Sequence, residues 1–271
     1  STLTSIGTSA FSGTRITSIV FATGEPGDID HVTLNTNAFY NCDSLTSVNF
    51  ADAVSYIGDT AFNNCNILST ISFGSNNVIT YIGDSAFHDC TAINSEITLP
   101  STLSKIMDQA FYNSGIRSVK FHADCTIQSI GSESFSGCND LISINIPKSV
   151  TSIGTSAFYQ ATSLTTVTLD TGSTLATIGN SAFSGCTSLT EPISFPKSLE
   201  SIGTNTFYNC NKLKGIAFYN EADAVLESIG DSAFESCSQL ASTIIFPNSL
   251  KIISYEAFYN CVKLKGIQFK D

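Results

Sequence analysis

Ile57-Gly58-Asp59-Thr60-Ala61-Phe62-Asn63-Asn64-Cys65, followed by Leu68, Ile71 and Phe73, is one copy of a phrase that returns eleven times in 271 residues. Each copy turns on one phenylalanine: Phe11, Phe39, Phe62, Phe87, Phe111, Phe135, Phe158, Phe183, Phe207, Phe234 and Phe258. Successive anchors stand 28, 23, 25, 24, 24, 23, 25, 24, 27 and 24 residues apart. A unit that short cannot bury its own apolar side and must stack on a neighbour, so the period means a solenoid rather than a closed globule. The chain is long enough for two ordinary domains, but the repeat runs from end to end. Residues 1–271 therefore read as one elongated domain.

Between anchors the pattern is Leu-x-x-Ile-x-Phe, as in Leu45-Val48-Phe50 and Leu213-Ile216-Phe218. Its second half alternates inward and outward, which is a strand period. One short strand per repeat, stacked in parallel about 4.8 Å apart, predicts a sheet roughly 50 Å long. A turn follows, then Leu/Val-x-x-Ile-Gly, as in Val54-Ile57-Gly58 and Val150-Ile153-Gly154. Gly fills that last place in eight of eleven repeats, with Asn35, Met107 and Ser254 the exceptions. The place calls for an unusual φ or a close backbone approach. Three residues before each Phe stands a helix N-cap type: Thr8, Thr36, Asp59, Asp84, Asp108, Ser132, Thr155, Asn180, Thr204 and Asp231, broken by Tyr255. That column predicts a short helical turn starting there. Phe62, Phe87, Phe111, Phe135, Phe158, Phe183 and Phe207 are then expected to fill the core between sheet and helix.

The phrase Leu-x-x-Ile-x-Phe/Pro followed by Ile-Gly-x-x-Ala-Phe-x-x-Cys resembles the BspA-like class of leucine-rich repeats over essentially the whole chain. The proline that often follows the strand in that class stands here as Pro100, Pro147, Pro196 and Pro247. The resemblance implies an α/β leucine-rich repeat solenoid: a right-handed superhelix with a parallel β-sheet on its concave face and short helical turns on its convex face. It also implies a surface protein, of the kind bacteria and parasitic protists use in adhesion.

Eight of the nine cysteines sit three residues after an anchor: Cys42, Cys65, Cys90, Cys138, Cys186, Cys210, Cys237 and Cys261. The remaining repeats hold Thr14, Ser114 and Ala161 in that slot, so it wants a small residue rather than a thiol as such. Cys138 has Ser114 and Ala161 as its stack neighbours and so no adjacent cysteine partner. A ladder of buried, reduced thiols is the expectation. Ligands 23–25 residues apart in a row do not converge on a tetrahedron, so no zinc site is expected.

Composition narrows the function classes. Hydrophobic residues make up 42% and charged residues 13%, as in a folded chain, and the formal net charge is −11. That charge argues against nucleic acid and against docking on anionic membranes. No apolar run is long enough to span a bilayer, and no charged-then-apolar leader is present. The chain opens inside a repeat and stops after a strand pattern without polar capping units, and so reads as a fragment or processed part of something longer.

The three histidines, His31, His88 and His122, fall in different columns, and no nucleophile–base set stands at recognisable spacing. His122-Ala123-Asp124-Cys125 reads as a polar turn, and Glu25-Pro26-Gly27-Asp28-Ile29-Asp30 lacks the ligand spacing of a calcium loop. No enzyme, no cofactor and no metal are expected.

The binding candidates lie in columns. On the outward strand positions they are Asn49, Ser72, Thr98, Lys120, Asn145, Thr168 and Ser194, small and variable side chains that suit either protein binding or a solvated sheet. Tyr40, Tyr112, Tyr159, Tyr208 and Tyr259 share the place after the anchor, as interface residues or as rings packed on the next turn. Two acidic insertions, 22–33 and 219–225, offer Glu25, Asp28, Asp30, Glu221 and Asp223. Three functions follow. The first is a cell-surface or secreted adhesion module that binds a host or matrix protein. The second is a cytoplasmic scaffold or regulatory subunit, favoured by free thiols and by the absence of any Asn-x-Ser/Thr acceptor. The third is a structural stalk that self-associates end to end.

Overall fold

The structure, a computed structural model, describes residues 3–21, 31–74, 78–122 and 124–270. Each repeat contributes two short strands, where one was expected. The first comes from the Leu-x-x-Ile-x-Phe phrase. Its copies run from Ser18–Val20, Ser47–Asn49 and Thr70–Ser72 through Glu96–Leu99, Ser118–Phe121, Ser143–Ile146 and Thr166–Leu169 to Ile193–Ser194, Ile216–Ala217, Thr243–Phe246 and Gly266–Phe269. These form the face ladder, in parallel blocks of three, four, two and two strands. The second strand of each repeat ends at the Ile of Ile-Gly. Its copies run from Ser5–Ile6, Val32–Leu34, Val54–Ile57 and Tyr81–Ile82 to Lys105–Ile106, Ser129–Ile130, Ser152–Ile153, Thr177–Ile178, Ser201–Ile202, Ser228–Ile229 and Ile252–Ile253. These form the glycine ladder, in parallel blocks of four and seven.

Register keeps like beside like. Ile130, Ile153, Ile178, Ile202, Ile229 and Ile253 face one another along the glycine ladder. In the face ladder Ile97, Val119, Ile144 and Val167 do the same. β-Branched residues fit this pleated, one-sided burial. The glycine beyond the Ile is required by crowding. A Cβ on Gly154 would stand 2.6 Å from the Ser132 nitrogen, and one on Gly179 2.7 Å from the carbonyl carbon of Gly154. The repeats touch backbone to backbone there, and neither glycine has a positive φ.

The expected helical turn is absent: among the described residues no helix forms. Two residues before and two after every anchor Phe, the chain enters the left-handed region, as at Thr60 (φ 54°) and Asn64 (φ 62°) around Phe62. The same pair recurs in all eleven repeats, for example Ser156 and Gln160, or Ser181 and Gly185. That alternation splits the backbone donors into two sets. The N–H groups of Ala61, Asn63 and Cys65 bond three residues back, to Gly58, Thr60 and Phe62. The N–H groups of Thr60, Phe62 and Asn64 leave the repeat and bond the carbonyls of Asp84, Ala86 and His88 in the next one, each at 2.8 Å. A helix would keep all of these bonds within the segment.

The N-cap column has a different employment. Asp59 Oδ1 accepts from the Asp84 N–H at 3.0 Å, Asp108 Oδ1 from the Ser132 N–H at 2.8 Å, and Asn180 Oδ1 from the Thr204 N–H at 2.9 Å. These side chains satisfy the same column one repeat on.

Two strands and a turn enclose a core one ring wide. Phe62, Phe87, Phe111, Phe135, Phe158, Phe183 and Phe207 are fully buried. All eleven anchors stack as a spine, consecutive centroids 5.0–5.4 Å apart and planes within 9°. Phe50 and Phe73, from the face ladder, meet that spine edge-on. Beside the spine runs the thiol ladder. Each slot cysteine donates to the carbonyl of the preceding anchor, as Cys65 to Phe39 at 3.3 Å, Cys138 to Phe111 at 3.1 Å and Cys186 to Phe158 at 3.2 Å. All nine cysteines are free. Burial pushes Cys65 and Cys186 up to about 12 and Cys138 up to about 11.

Candidate interaction face

The strand period decides what the molecule shows to a partner. In the face-ladder strands from Ser47–Asn49 to Thr243–Phe246 the residue beyond the buried Ile or Val points outward, and the ladder sets these side chains in a row. Val20 lies beside Asn49, Asn49 beside Ser72, Thr98 beside Lys120, Asn145 beside Thr168, and Ser194 beside Ala217. Asn49, Ser72, Thr98, Lys120, Asn145, Thr168 and Ser194 are all exposed.

Parts of the row are tied together. Lys120 pairs with Glu96 at 2.8 Å, and that hydrogen bond holds the Glu96 carboxyl below its usual range. The Thr168 hydroxyl donates to Asn145 Oδ1 at 2.7 Å, and Asn145 Nδ2 donates to Asp170 Oδ1 at 2.7 Å. Asp170 Oδ2 accepts the Lys148 N–H at 3.3 Å.

Beyond the strands, the turns alternate in length. Three residues join Ile146 to Val150 and Phe195 to Leu199, while five join Phe121 to Ile127 and Leu169 to Leu175, and seven join Phe218 to Leu226. Short turns begin with Pro147 and Pro196 and close on a serine. Ser149 and Ser198 donate to the Ile127 and Leu175 carbonyls, both at 2.9 Å. A short turn beside a long one leaves a notch. One notch, about 530 Å³, is lined by Lys120, Phe121, His122, Cys125, Asn145, Pro147, Lys148, Asp170 and Thr171, with Val119 behind. The next, about 410 Å³, is lined by Leu169, Asp170, Gly172, Ser173, Thr174, Ser194, Pro196, Lys197 and Ser198. Reading columns one residue at a time missed these notches. Their signal is the alternating distance from each strand end to the next buried aliphatic residue.

Of the loop candidates, Glu221 and Asp223 are exposed, and Asp223 pairs with Lys197 at 2.9 Å. Hydrogen bonds from Lys197 and then Tyr219 hold its carboxyl below the usual range. Glu25, Asp28 and Asp30 lie outside the described residues. On the anchor side, Tyr40, Tyr159, Tyr208 and Tyr259 are exposed, whereas Tyr112 is half-buried under His88, its ring stacked at 4.6 Å. The structure brings Lys120, Asn145 and Ser194 of the face row together with the notches, which none of the tyrosines line.

A family model described as the BspA type leucine rich repeat region (6 copies) matches residues 4–129, 71–190, 124–225 and 221–271. The chain is a BspA-type leucine-rich repeat protein. It is similar to a solved leucine-rich repeat protein from Eubacterium ventriosum ATCC 27560, with 20% identity and a TM-score of 0.51 over 94% of this chain and 80% of that one. It is also similar to a leucine-rich repeat protein from Bacteroides ovatus ATCC 8483 (24% identity, TM-score 0.48, 93% of this chain and 86% of that one). A third is a leucine rich cell surface protein from Faecalibacterium prausnitzii A2-165 (23%, 0.45, 95% and 88%). No curated protein matches the sequence. Identities this low speak to fold alone. Among the described residues of this BspA-type protein, no three His, Cys, Asp or Glu side chains gather where they could hold a metal. No helix among them is long and apolar enough to cross a membrane.

Proposed function

We propose that this BspA-type protein is a non-enzymatic interaction module, displayed at the cell surface for adhesion, which binds a host or matrix protein through the face ladder and its adjoining turns. The outward row of the face ladder carries this reading. Behind it the layer is uniformly apolar, Ile or Val backed by Phe, Leu or Ile, while the row itself changes from Asn49 to Ser72, Thr98, Lys120 and Asn145. A fixed scaffold under a changing surface is how repeat proteins present side chains for recognition. Membership of the BspA type supports the surface role.

The test is surface-displayed or immobilised chain against purified matrix proteins. Binding that is lost when Asn49, Lys120 and Asn145 are all replaced by Asp, with thermal stability kept, supports the face. Undiminished binding by that variant removes it. A second reading, an intracellular scaffold, is favoured by the nine free cysteines and the missing glycosylation acceptor. Recovery of the native protein from the cytoplasmic fraction alone would select it.

A further inference from the structure

The two notches beside the face ladder hold the same residue at the same place. Lys148 follows Pro147 and Lys197 follows Pro196, each in a three-residue turn. Their surroundings differ in one respect. Lys197 is met by a carboxylate of its own chain, Asp223, reaching across from the long turn 219–225 at 2.9 Å. Lys148 makes no ion pair among the described residues. The carboxylate that lines the notch is otherwise engaged. Asp170 takes the Asn145 amide on one oxygen and the Lys148 backbone N–H on the other.

The hydrogen-bonding capacity left in the Lys148 notch is mostly donor. Asn145 Oδ1 is occupied by Thr168, and its Nδ2 keeps one N–H free. His122 Nδ1 accepts the Asp124 N–H at 3.4 Å, which puts the proton of the neutral ring on Nε2. Lys148 has three N–H groups, and the lining Thr171 has a hydroxyl. Each of these acceptors already takes a donor of this chain, while donors are left over.

We propose that the Lys148 notch seats a carboxylate from an acidic side chain of a partner polypeptide lying across the face ladder, in the way Asp223 seats on Lys197. The proposal rests on the face-ladder reading for its partner, but the notch can be tested without one. The lysines would be 13C-methylated and followed by NMR while sodium acetate is added to the full chain. The Lys148 signal is expected to move saturably and that of Lys197 to stay still. In D223N, Lys197 should begin to respond as Lys148 does. Equal response of the two lysines in the unaltered chain, or a silent Lys197 in D223N, would overturn the notch and leave the face-ladder test standing.

Blocked Gly-Gly-Glu-Gly-Gly and Gly-Gly-Gln-Gly-Gly peptides then test the source of the carboxylate. The Glu peptide should act at about threefold lower concentration than the Gln peptide, the size of one exposed ion pair. N-acetylneuraminic acid acting more tightly than the Glu peptide would replace a polypeptide partner with an acidic glycan.

Discussion

At the residue scale, the slot three places after each anchor does more than demand a small side chain. Its thiol donates to a carbonyl of the preceding anchor, so cysteine there is both filler and hydrogen-bond donor. The thiol of Cys186 is held protonated up to about 12, against an ordinary value of 9.0, because burial penalises the thiolate. The unfolded chain therefore releases this proton at lower pH than the folded one. The resulting stability is fully present below about pH 9 and is lost as pH rises towards about 12. Urea midpoints at about pH 8 and about pH 10.5 should fall more steeply in the unaltered chain than in Cys186→Ala; equal slopes would show that the thiols do not carry the effect. The sequence disclosed the slot and its periodicity. It could not disclose the acceptor, because that carbonyl belongs to a residue 28 positions away.

At the scale of the element, the segment around each anchor was legible as a turn but not as this turn. Thr, Asp and Asn three residues before a Phe signal a helix start, because they satisfy a free N–H. Here the Asp and Asn side chains do satisfy one, in the next repeat instead of the next turn, and periodic sequence gives the same letters for both. The left-handed residues were harder to see, because Ser156, Gln160 and Glu133 are not the glycines that favour that region. The sign of one substitution separates the alternatives. Ser156→Gly should stabilise the chain by about 1 kcal/mol, since φ 54° strains any residue with a Cβ. In a helix the same change would cost about as much. Chemical denaturation decides it. Far-UV circular dichroism should likewise lack the helical double minimum.

At the scale of the whole molecule, the repeat is paired as well as single. Short and long turns alternate, and Tyr112, Tyr159, Tyr208 and Tyr259 recur in every second repeat. Counting anchors found the single period and with it the stack; the paired period, which makes the notches, shows only when turn lengths are compared. Stability in such a stack is shared between neighbours. Phe158 touches only Phe135 and Phe183 along the spine, at 5.4 and 5.0 Å. Phe158→Ala should cost about 3–5 kcal/mol locally and divide one unfolding transition into two, seen as early proteolytic cleavage near residue 158. A single transition shifted as a whole would mean that cooperativity extends further than nearest neighbours.

Backbone hydrogen bonds between repeats all point along the same axis, in both ladders and in the anchor turns. A stack built this way yields to tension one layer at a time, from its ends inward. Each layer let go frees about 24 residues, up to roughly 80 Å of extended chain. Pulled at its two ends, such a stack would lengthen in steps of about one repeat while its middle stayed folded.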